Sequence, residues 1–198
     1  MRELRHRVKN NLQIVSSLLN IQSNHLSDEE AINALKVAKN RILTISYLED
    51  KIETDTNELN IKEFTETLCN SIIQTLSDEE NMKFSINYSI ENVIVKNFNT
   101  TLYGLILNEI ITNTFKHAYP VYKKGNVLQI NLLESNNKIV LTNKDNGVGY
   151  NPEDISYASL GLDLVNDMVR QLNGTLEAVT IHSVENKIII PTETNLYA

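Results

Sequence analysis

The run Asp145-Asn146-Gly147-Val148-Gly149-Tyr150 follows directly on the apolar stretch Ile139–Thr142, and its reading decides the fold of the second half of the chain. The stretch before it reads as a strand. An acid followed by two glycines lets the backbone bend tightly and approach a planar ligand, with the carboxylate free to accept a hydrogen bond from an amino group. D-N-G is also common in plain turns. The run therefore takes its meaning from what flanks it.

Upstream lies Asn108-Glu109-Ile110-Ile111-Thr112-Asn113-Thr114-Phe115-Lys116-His117-Ala118. On a helix, Glu109, Asn113 and Lys116 or His117 fall at i, i+4 and i+7 or i+8, which predicts one shared face. An acid, an amide and a cation inside an apolar helix are costly unless they meet a ligand or each other. An oxygen-rich face beside a cation suits a hydrated Mg²⁺ carrying a polyphosphate, and a solvated polar face is the plainer alternative. Downstream, Ser159-Leu160-Gly161-Leu162-Asp163-Leu164-Val165 opens a further helix with a glycine just inside its start. A helix N-terminus with such a glycine is fitted to receive phosphate, although a simple capped helix has the same pattern. The eleven residues between Gly149 and Gly161 are enough for a short lid.

The pattern around these clusters is mixed α/β. Helices are predicted at 61–77, 100–118 and 160–173, and strands at 83–89, 92–96, 127–134, 137–143, 175–182 and 186–191. Period-two alternation is clearest in Val127-Leu128-Gln129-Ile130-Asn131-Leu132. Three helices over mostly antiparallel strands make a two-layer α/β sandwich.

The first quarter of the chain is different. Val8, Leu12, Val15, Leu19 and Leu26 repeat at alternating spacings of four and three, as a heptad seam does, and Ala31, Leu35, Ala38, Ile42 and Ile45 continue it. Two long helices, 2–26 and 28–54, are expected. Ser27-Asp28-Glu29-Glu30 between them reads as a capping box, with Ser27 accepting from the Glu30 amide. A 25-residue helix is about 37 Å long. A hairpin of two such helices cannot bury both apolar stripes, so dimerisation into a four-helix bundle is expected. With Val8 at a d position, His6 falls at b and faces solvent among Arg5, Arg7 and Lys9. A polar stretch, Glu53 to Asn60, separates the hairpin from the α/β region.

Composition narrows the classes. At 198 residues the chain is one domain or two small ones, and 41% apolar with 22% charged content is ordinary for a globular protein. A net charge of −7 argues against general nucleic-acid binding, since the basic residues Arg2, Arg5, Arg7 and Lys9 form one local cluster. The single cysteine, Cys69, makes no internal disulfide and reads as a small buried hydrophobe. No apolar stretch approaches the ~20 residues of a membrane span and no signal peptide is present, so a cytoplasmic chain without direct membrane insertion is expected.

The order of the clusters is specific where each alone is not: acid/Asn helix, strand with D-x-G-x-G, glycine-led helix. Together with the N-terminal H-R-V-K-N run, they resemble the ATP-binding domain shared by gyrase, Hsp90, histidine kinases and MutL, and specifically the histidine kinases whose phosphoacceptor helix reads H-R-V-K-N. The resemblance runs from Glu3 to about Pro191. It implies an α+β chain, with residues 1–56 a dimerisation and phosphotransfer hairpin and residues 57–198 a Bergerat-type ATP-binding sandwich. It implies that His6 is the phosphoacceptor. Glu3, one helical turn before it, is placed either to hold the imidazole in its reactive tautomer or to favour the helix N-terminus, and Asn10, one turn after it, either to orient water for dephosphorylating a partner aspartyl phosphate or to contact the nucleotide domain. Asn113 then takes the place of the Mg²⁺-binding asparagine, and Glu109 that of the neighbouring residue that orients the metal's water or acts as a base. Lys116 and His117 would approach the phosphates, Asp145 would read the adenine amino group, Gly147 and Gly149 would shape its loop, and Gly161 with Leu162 would sit at the lid end. ATP and Mg²⁺ as cofactors, a homodimer through the N-terminal helices, and a response-regulator receiver domain as partner follow from the same resemblance.

Two departures stand out. Related kinases carry Gly-Thr before the final strand; here the stretch is Ser183-Val184-Glu185-Asn186, with Asn186 a substitute hydrogen-bonding group. Only five residues precede His6, which leads to the expectation of either a catalytic fragment of a larger sensor or a stand-alone kinase regulated through another protein. A non-catalytic phosphotransfer protein relaying through His6 is the main rival, and a serine kinase of the anti-sigma type a more distant one.

Overall fold

Two 23-residue helices open the chain, α1 (Arg2–Asn24) and α2 (Glu29–Lys51), joined by a four-residue turn. The computed structural model describes residues 2–51, 58–79, 84–119, 125–149, 158–180 and 184–192; within these, the side chains of 2–6, 30, 47, 49–51, 75–79, 158–160 and 178–180 are left aside. The chain divides into two compact units, Met1–Glu53 and Thr54–Ala198.

In the first unit the turn departs from the expected capping box. Asp28, not Ser27, caps α2: its Oδ1 accepts from the Ala31 N–H at 3.1 Å, and its carbonyl accepts from the Ile32 N–H at 3.0 Å. Both residue types cap well, and the one adjacent to the first helical residue holds the position. Ser16, Ser23, Thr44, Ser46 and Leu48 are buried. Much of the apolar surface of α1 is not. Ile14 is 58%, Leu18 54% and Ile21 51% exposed, and Val8, Val15 and Leu26 are exposed as well. Ile14, Leu18 and Ile21 follow an i, i+4, i+7 spacing and so form a second stripe beside the predicted seam.

The second unit begins with β1 (Glu58–Asn60), a three-residue strand inside the stretch read as a linker, and α3 (Ile61–Glu79). Then follow β2 (Ser85–Ile90), β3 (Ile94–Lys96) and α4 (Thr100–Asn113), which continues into a π-helical turn, Thr114–Ala118. The chain ends with β4 (Val127–Ser135), β5 (Lys138–Asp145), α5 (Ala158–Gln171), β6 (Thr175–Thr180) and β7 (Val184–Pro191). The main sheet has the order β2-β4-β5-β7-β6, in which β2 and β4 run parallel and the other neighbours antiparallel. Strands β1 and β3 form a separate antiparallel pair.

The alternation read in the sequence faces β4 and β5 inward at Leu128, Ile130, Leu132, Ile139 and Leu141, all buried, and β7 does the same at Ile188 and Ile190. Each such side chain contributes about 1.5–3 kcal/mol by leaving water. The helices answer with Ile106, Leu107, Ile110 and Ile111 from α4, Val165, Met168 and Val169 from α5, and Leu68 and Cys69 from α3. Burial pushes the Cys69 thiol up to about 12, as fits an inert core residue. Between α3 and α4 the buried Thr65 and Tyr103 hydroxyls share a hydrogen bond of 2.8 Å. The α+β expectation, helices first and then a two-layer sandwich, is borne out.

Candidate active site

Helix α4 starts cleanly, with the Asn99 side chain accepting from the Leu102 N–H at 3.0 Å. It ends without a break in direction. The Thr114 N–H reaches both Ile110 and Ile111 carbonyls, and the helix widens into the π turn. This widening changes the expected face. Glu109 is buried and Asn113 half-buried, whereas Lys116 and His117 are exposed. A π turn advances fewer degrees per residue than an α turn, so the 3.6-residue register that aligned them stops at Asn113. Partial burial, and then the charge of Lys116, lower the His117 pKa and favour its neutral form.

The glycines have separate reasons to be glycine. A β carbon on Gly161, in the second turn of α5, would lie 3.1 Å from the Asn113 Nδ2, so α5 rests almost directly on that amide. A β carbon on Gly147 would meet the Ala118 carbonyl oxygen at 2.4 Å. Gly149 has φ of +69°, a conformation that favours glycine. The close approach expected of Gly147 is therefore to the end of the π turn, and the Val148 N–H seals it with a 3.0 Å bond to the Ala118 carbonyl.

Asp145 is the last residue of β5 and only 2% exposed. Its Oδ1 accepts from the Gly147 N–H at 2.9 Å, closing the tight loop on itself. Burial raises its pKa above the usual carboxylate range, and hydrogen bonds from the backbone of Gly147 and Val184 partly offset this. The loop is held from behind by Tyr119 and Asn146, neither of which the sequence reading singled out. The Tyr119 hydroxyl lies 2.7 Å from the Val127 carbonyl and 3.0 Å from Asn146 Oδ1. Asn146 in turn accepts from the Val127 N–H at 2.8 Å and donates to the Gly125 carbonyl at 2.9 Å. The only signal for this network was the asparagine of D-N-G, a residue that bonds its neighbours' backbone.

The predicted residues thus fall into two groups. Asn113 and Gly161 meet directly, and Asp145 and Gly147 lie on one loop closed against Ala118, four residues beyond Thr114. Leu162 is half-buried beside Gly161, and Lys116 and His117 project from the π turn. The lid lies mostly outside the described residues. His6, Glu3 and Asn10 belong to α1; Asn10 is exposed, and the side chains of His6 and Glu3 lie outside those described. A buried carboxylate acceptor, a half-buried amide at a helix end and a helix start laid on that amide form an arrangement able to take an amino-bearing base and a phosphate chain.

Comparison with known proteins defines the class. Residues 3–76 match a family model described as histidine kinase, and residues 99–193 one described as histidine kinase-, DNA gyrase B-, and HSP90-like ATPase. The two matches fall in that order along the chain and support a sensor histidine kinase catalytic core.

Among individual proteins, the chain is similar to the sensor histidine kinase PdtaS of Mycobacterium tuberculosis, 28% identical over 182 residues that cover 89% of this chain and 36% of the mycobacterial protein. PdtaS of Mycolicibacterium smegmatis is 27% identical over 184 residues, again 89% of this chain and 36% of that protein. The chain therefore spans little more than a third of the curated relatives it matches. In fold it is similar to the histidine kinase domain of the Erythrobacter litoralis EL346 blue-light activated histidine kinase, with TM-score 0.66 and 18% identity, covering 96% of this chain and 94% of that one. The Acinetobacter baumannii histidine kinase AdeS aligns with TM-score 0.58 and 18% identity over 97% and 98% of the two chains. No helix among the described residues is long and apolar enough to cross a membrane.

Proposed function

We propose that this chain is an ATP-dependent protein histidine kinase of the H-R-V-K-N type, which phosphorylates itself on His6 and passes the phosphoryl group to an aspartate of a response regulator. The observation that carries this reading is the meeting of Gly161 with Asn113, in a unit where the loop that carries the buried Asp145 carboxylate also closes, through the Val148 N–H, against the end of the same helix. Asp145 accepts a hydrogen bond from the adenine amino group. Asn113, with Lys116 and His117 beyond it and Gly161 and Leu162 across from it, attends the phosphates, and Gly149 lets the loop turn. Residues 1–56 serve as the dimerisation and phosphotransfer hairpin and residues 57–198 as the ATP-binding domain.

In the transfer, the lone pair of a neutral His6 ring nitrogen forms a bond to the γ-phosphorus while the bond to the bridging oxygen breaks and ADP leaves. Glu3, one turn earlier, holds the ring in its reactive tautomer, and Asn10, one turn later, orients water for the hydrolysis of a partner's aspartyl phosphate, which releases inorganic phosphate and restores the carboxylate. Glu109 would orient water beside the metal or act as a base from inside α4. Mg²⁺ fits this donor set. Among the described residues no three His, Cys, Asp or Glu side chains converge into a cage, and Mg²⁺ is commonly held by one or two protein oxygens plus substrate phosphates. Asn113 would supply such an oxygen, and the ion would neutralise charge on the departing ADP. The exposed apolar stripe of α1 suits a homodimer through the N-terminal helices.

The test is incubation with Mg²⁺ and γ-labelled ATP. Label that is acid-labile, alkali-stable and lost in His6→Ala supports the kinase. ATP binding without incorporation sinks it, and no ATP binding favours the non-catalytic phosphotransfer protein.

A further inference from the structure

Tyr119 is the first residue after the π turn, only 2% exposed, and its hydroxyl reaches across to the loop that follows β5. It lies 2.7 Å from the Val127 carbonyl and 3.0 Å from Asn146 Oδ1, and the Asn146 N–H approaches it at 3.4 Å. The orientation of the Asn146 amide is fixed, because the Val127 N–H donates to Oδ1 and Nδ2 donates to the Gly125 carbonyl. Oδ1 is therefore an acceptor, and the one phenolic proton is shared between two oxygens. Burial pushes the phenol up to about 12, so it keeps that proton.

Packing does not call for the hydroxyl. The Tyr119 ring centroid lies 5.4 Å from that of Phe84, which lies 6.3 Å from that of Phe115, so a phenylalanine would complete an apolar cluster. Nor do the oxygens need it. Asn146 Oδ1 already accepts from the Val127 N–H, and the Val127 carbonyl accepts from the Asn146 N–H at 3.3 Å. What the hydroxyl adds is a tie between two segments distant in sequence. One is the π turn, which carries Lys116 and His117 beyond Asn113; the other is the loop that carries Asp145. The Val148 N–H bond to the Ala118 carbonyl holds the front of the same joint. A nucleotide that meets Asp145 with its base and the helix end with its phosphates must bridge these two segments. Its affinity depends on their separation, whereas a ligand that engages one segment alone is indifferent to it.

We propose that Tyr119 is a positioning residue, whose hydroxyl pins the Asp145 loop to the end of the π turn and so sets the distance between the base-reading and phosphate-holding halves of the site. This rests on the nucleotide-binding reading above and deepens it.

The experiment uses the full chain and measures ATP binding by calorimetry and adenosine binding by competition at millimolar concentration, adenosine engaging the base half alone. It compares wild type with Tyr119→Phe and with Phe84→Leu, which loosens the packing of the ring but leaves the hydroxyl. Tyr119→Phe is expected to lose about tenfold in ATP affinity with adenosine affinity nearly unchanged. Its nucleotide-free unfolding midpoint falls only slightly, and its Val148 amide exchanges with solvent faster than in wild type. Phe84→Leu lowers the midpoint further and weakens both ligands alike. Equal losses for the two ligands in Tyr119→Phe, no loss for either, or the same split in Phe84→Leu overturns the inference and leaves the ATP site standing. So does a Tyr119→Phe chain that fails to fold, since the hydroxyl is then a structural necessity. So does a wild type that binds ATP but no adenosine, since the base half then has no hold of its own. A wild-type chain that binds neither ligand overturns both readings.

Discussion

Gly161 lies over the Asn113 side chain so closely that a β carbon would come within 3.1 Å of Nδ2 and 3.4 Å of Oδ1. Gly161→Ala therefore presses a methyl group onto the amide assigned to the metal and phosphates. In a helix interior the same change stabilises by roughly 1 kcal/mol. The two effects separate cleanly: thermal unfolding should show no loss of stability, while ATP affinity falls about tenfold, or about 1.4 kcal/mol.

Gly147→Ala should behave in the opposite way. Its β carbon would meet backbone, the Ala118 carbonyl at 2.4 Å, which has no rotamer to escape into. Urea unfolding should show a destabilisation of about 1–3 kcal/mol, the range for forced overpacking. Nucleotide binding should weaken with it, because the same displacement breaks the Gly147 N–H bond to Asp145.

Asp145 carries a pH signature. Burial raises its folded-state pKa above that of the unfolded chain, so the folded state holds the proton more tightly. Stability is then lost as pH rises from the unfolded carboxylate pKa, about 4, through the raised value, and the penalty stays constant above it. Asp145→Asn removes the penalty. Its nucleotide-free unfolding midpoint should exceed wild type at pH 7, with the gain shrinking as pH falls through the raised value and gone below about pH 4, while ATP affinity drops. A variant less stable than wild type at pH 7 contradicts the sign.

The apolar stripe of α1 predicts the assembly. Placing charge at its centre with Ile14→Glu and Leu18→Glu should shift the chain from dimer to monomer in sedimentation equilibrium. ATP binding should persist, because neither residue lies in the second unit. A variant that remains dimeric places the dimer contact elsewhere.

The fold was legible where a period was long. Heptad spacing marked α1 and α2, and alternation in Val127–Leu132 marked β4. It was not legible where the structure depends on a partner distant in sequence. β1 is three residues long and exists through pairing with β3, so Glu58–Asn60 read as linker. The π turn has no composition of its own, so the sequence pattern predicts one unbroken helix from 100 to 118 where the structure widens after Asn113. Asp28 and Ser27 are both good caps, and only backbone geometry chooses between them. At the site, the acid and glycines of the loop were visible as residue types, but the sequence could not say that Gly147 is required by Ala118 and not by a ligand. Asn143 did leave a trace, a polar residue at an inward position of an apolar strand, but its pairing opposite Asn186 did not.

In the proposed reaction the imidazole of His6 receives a phosphoryl group from ATP held around Asn113 and Asp145. Mass-spectrometric mapping of the full chain after incubation with Mg²⁺ and ATP, with digestion at alkaline pH, tests it most directly. Phosphate is expected on the peptide carrying His6, and none there in Asn113→Ala or Asp145→Ala. Phosphate on another residue, or an unmodified His6 in a chain that demonstrably binds ATP, would contradict it.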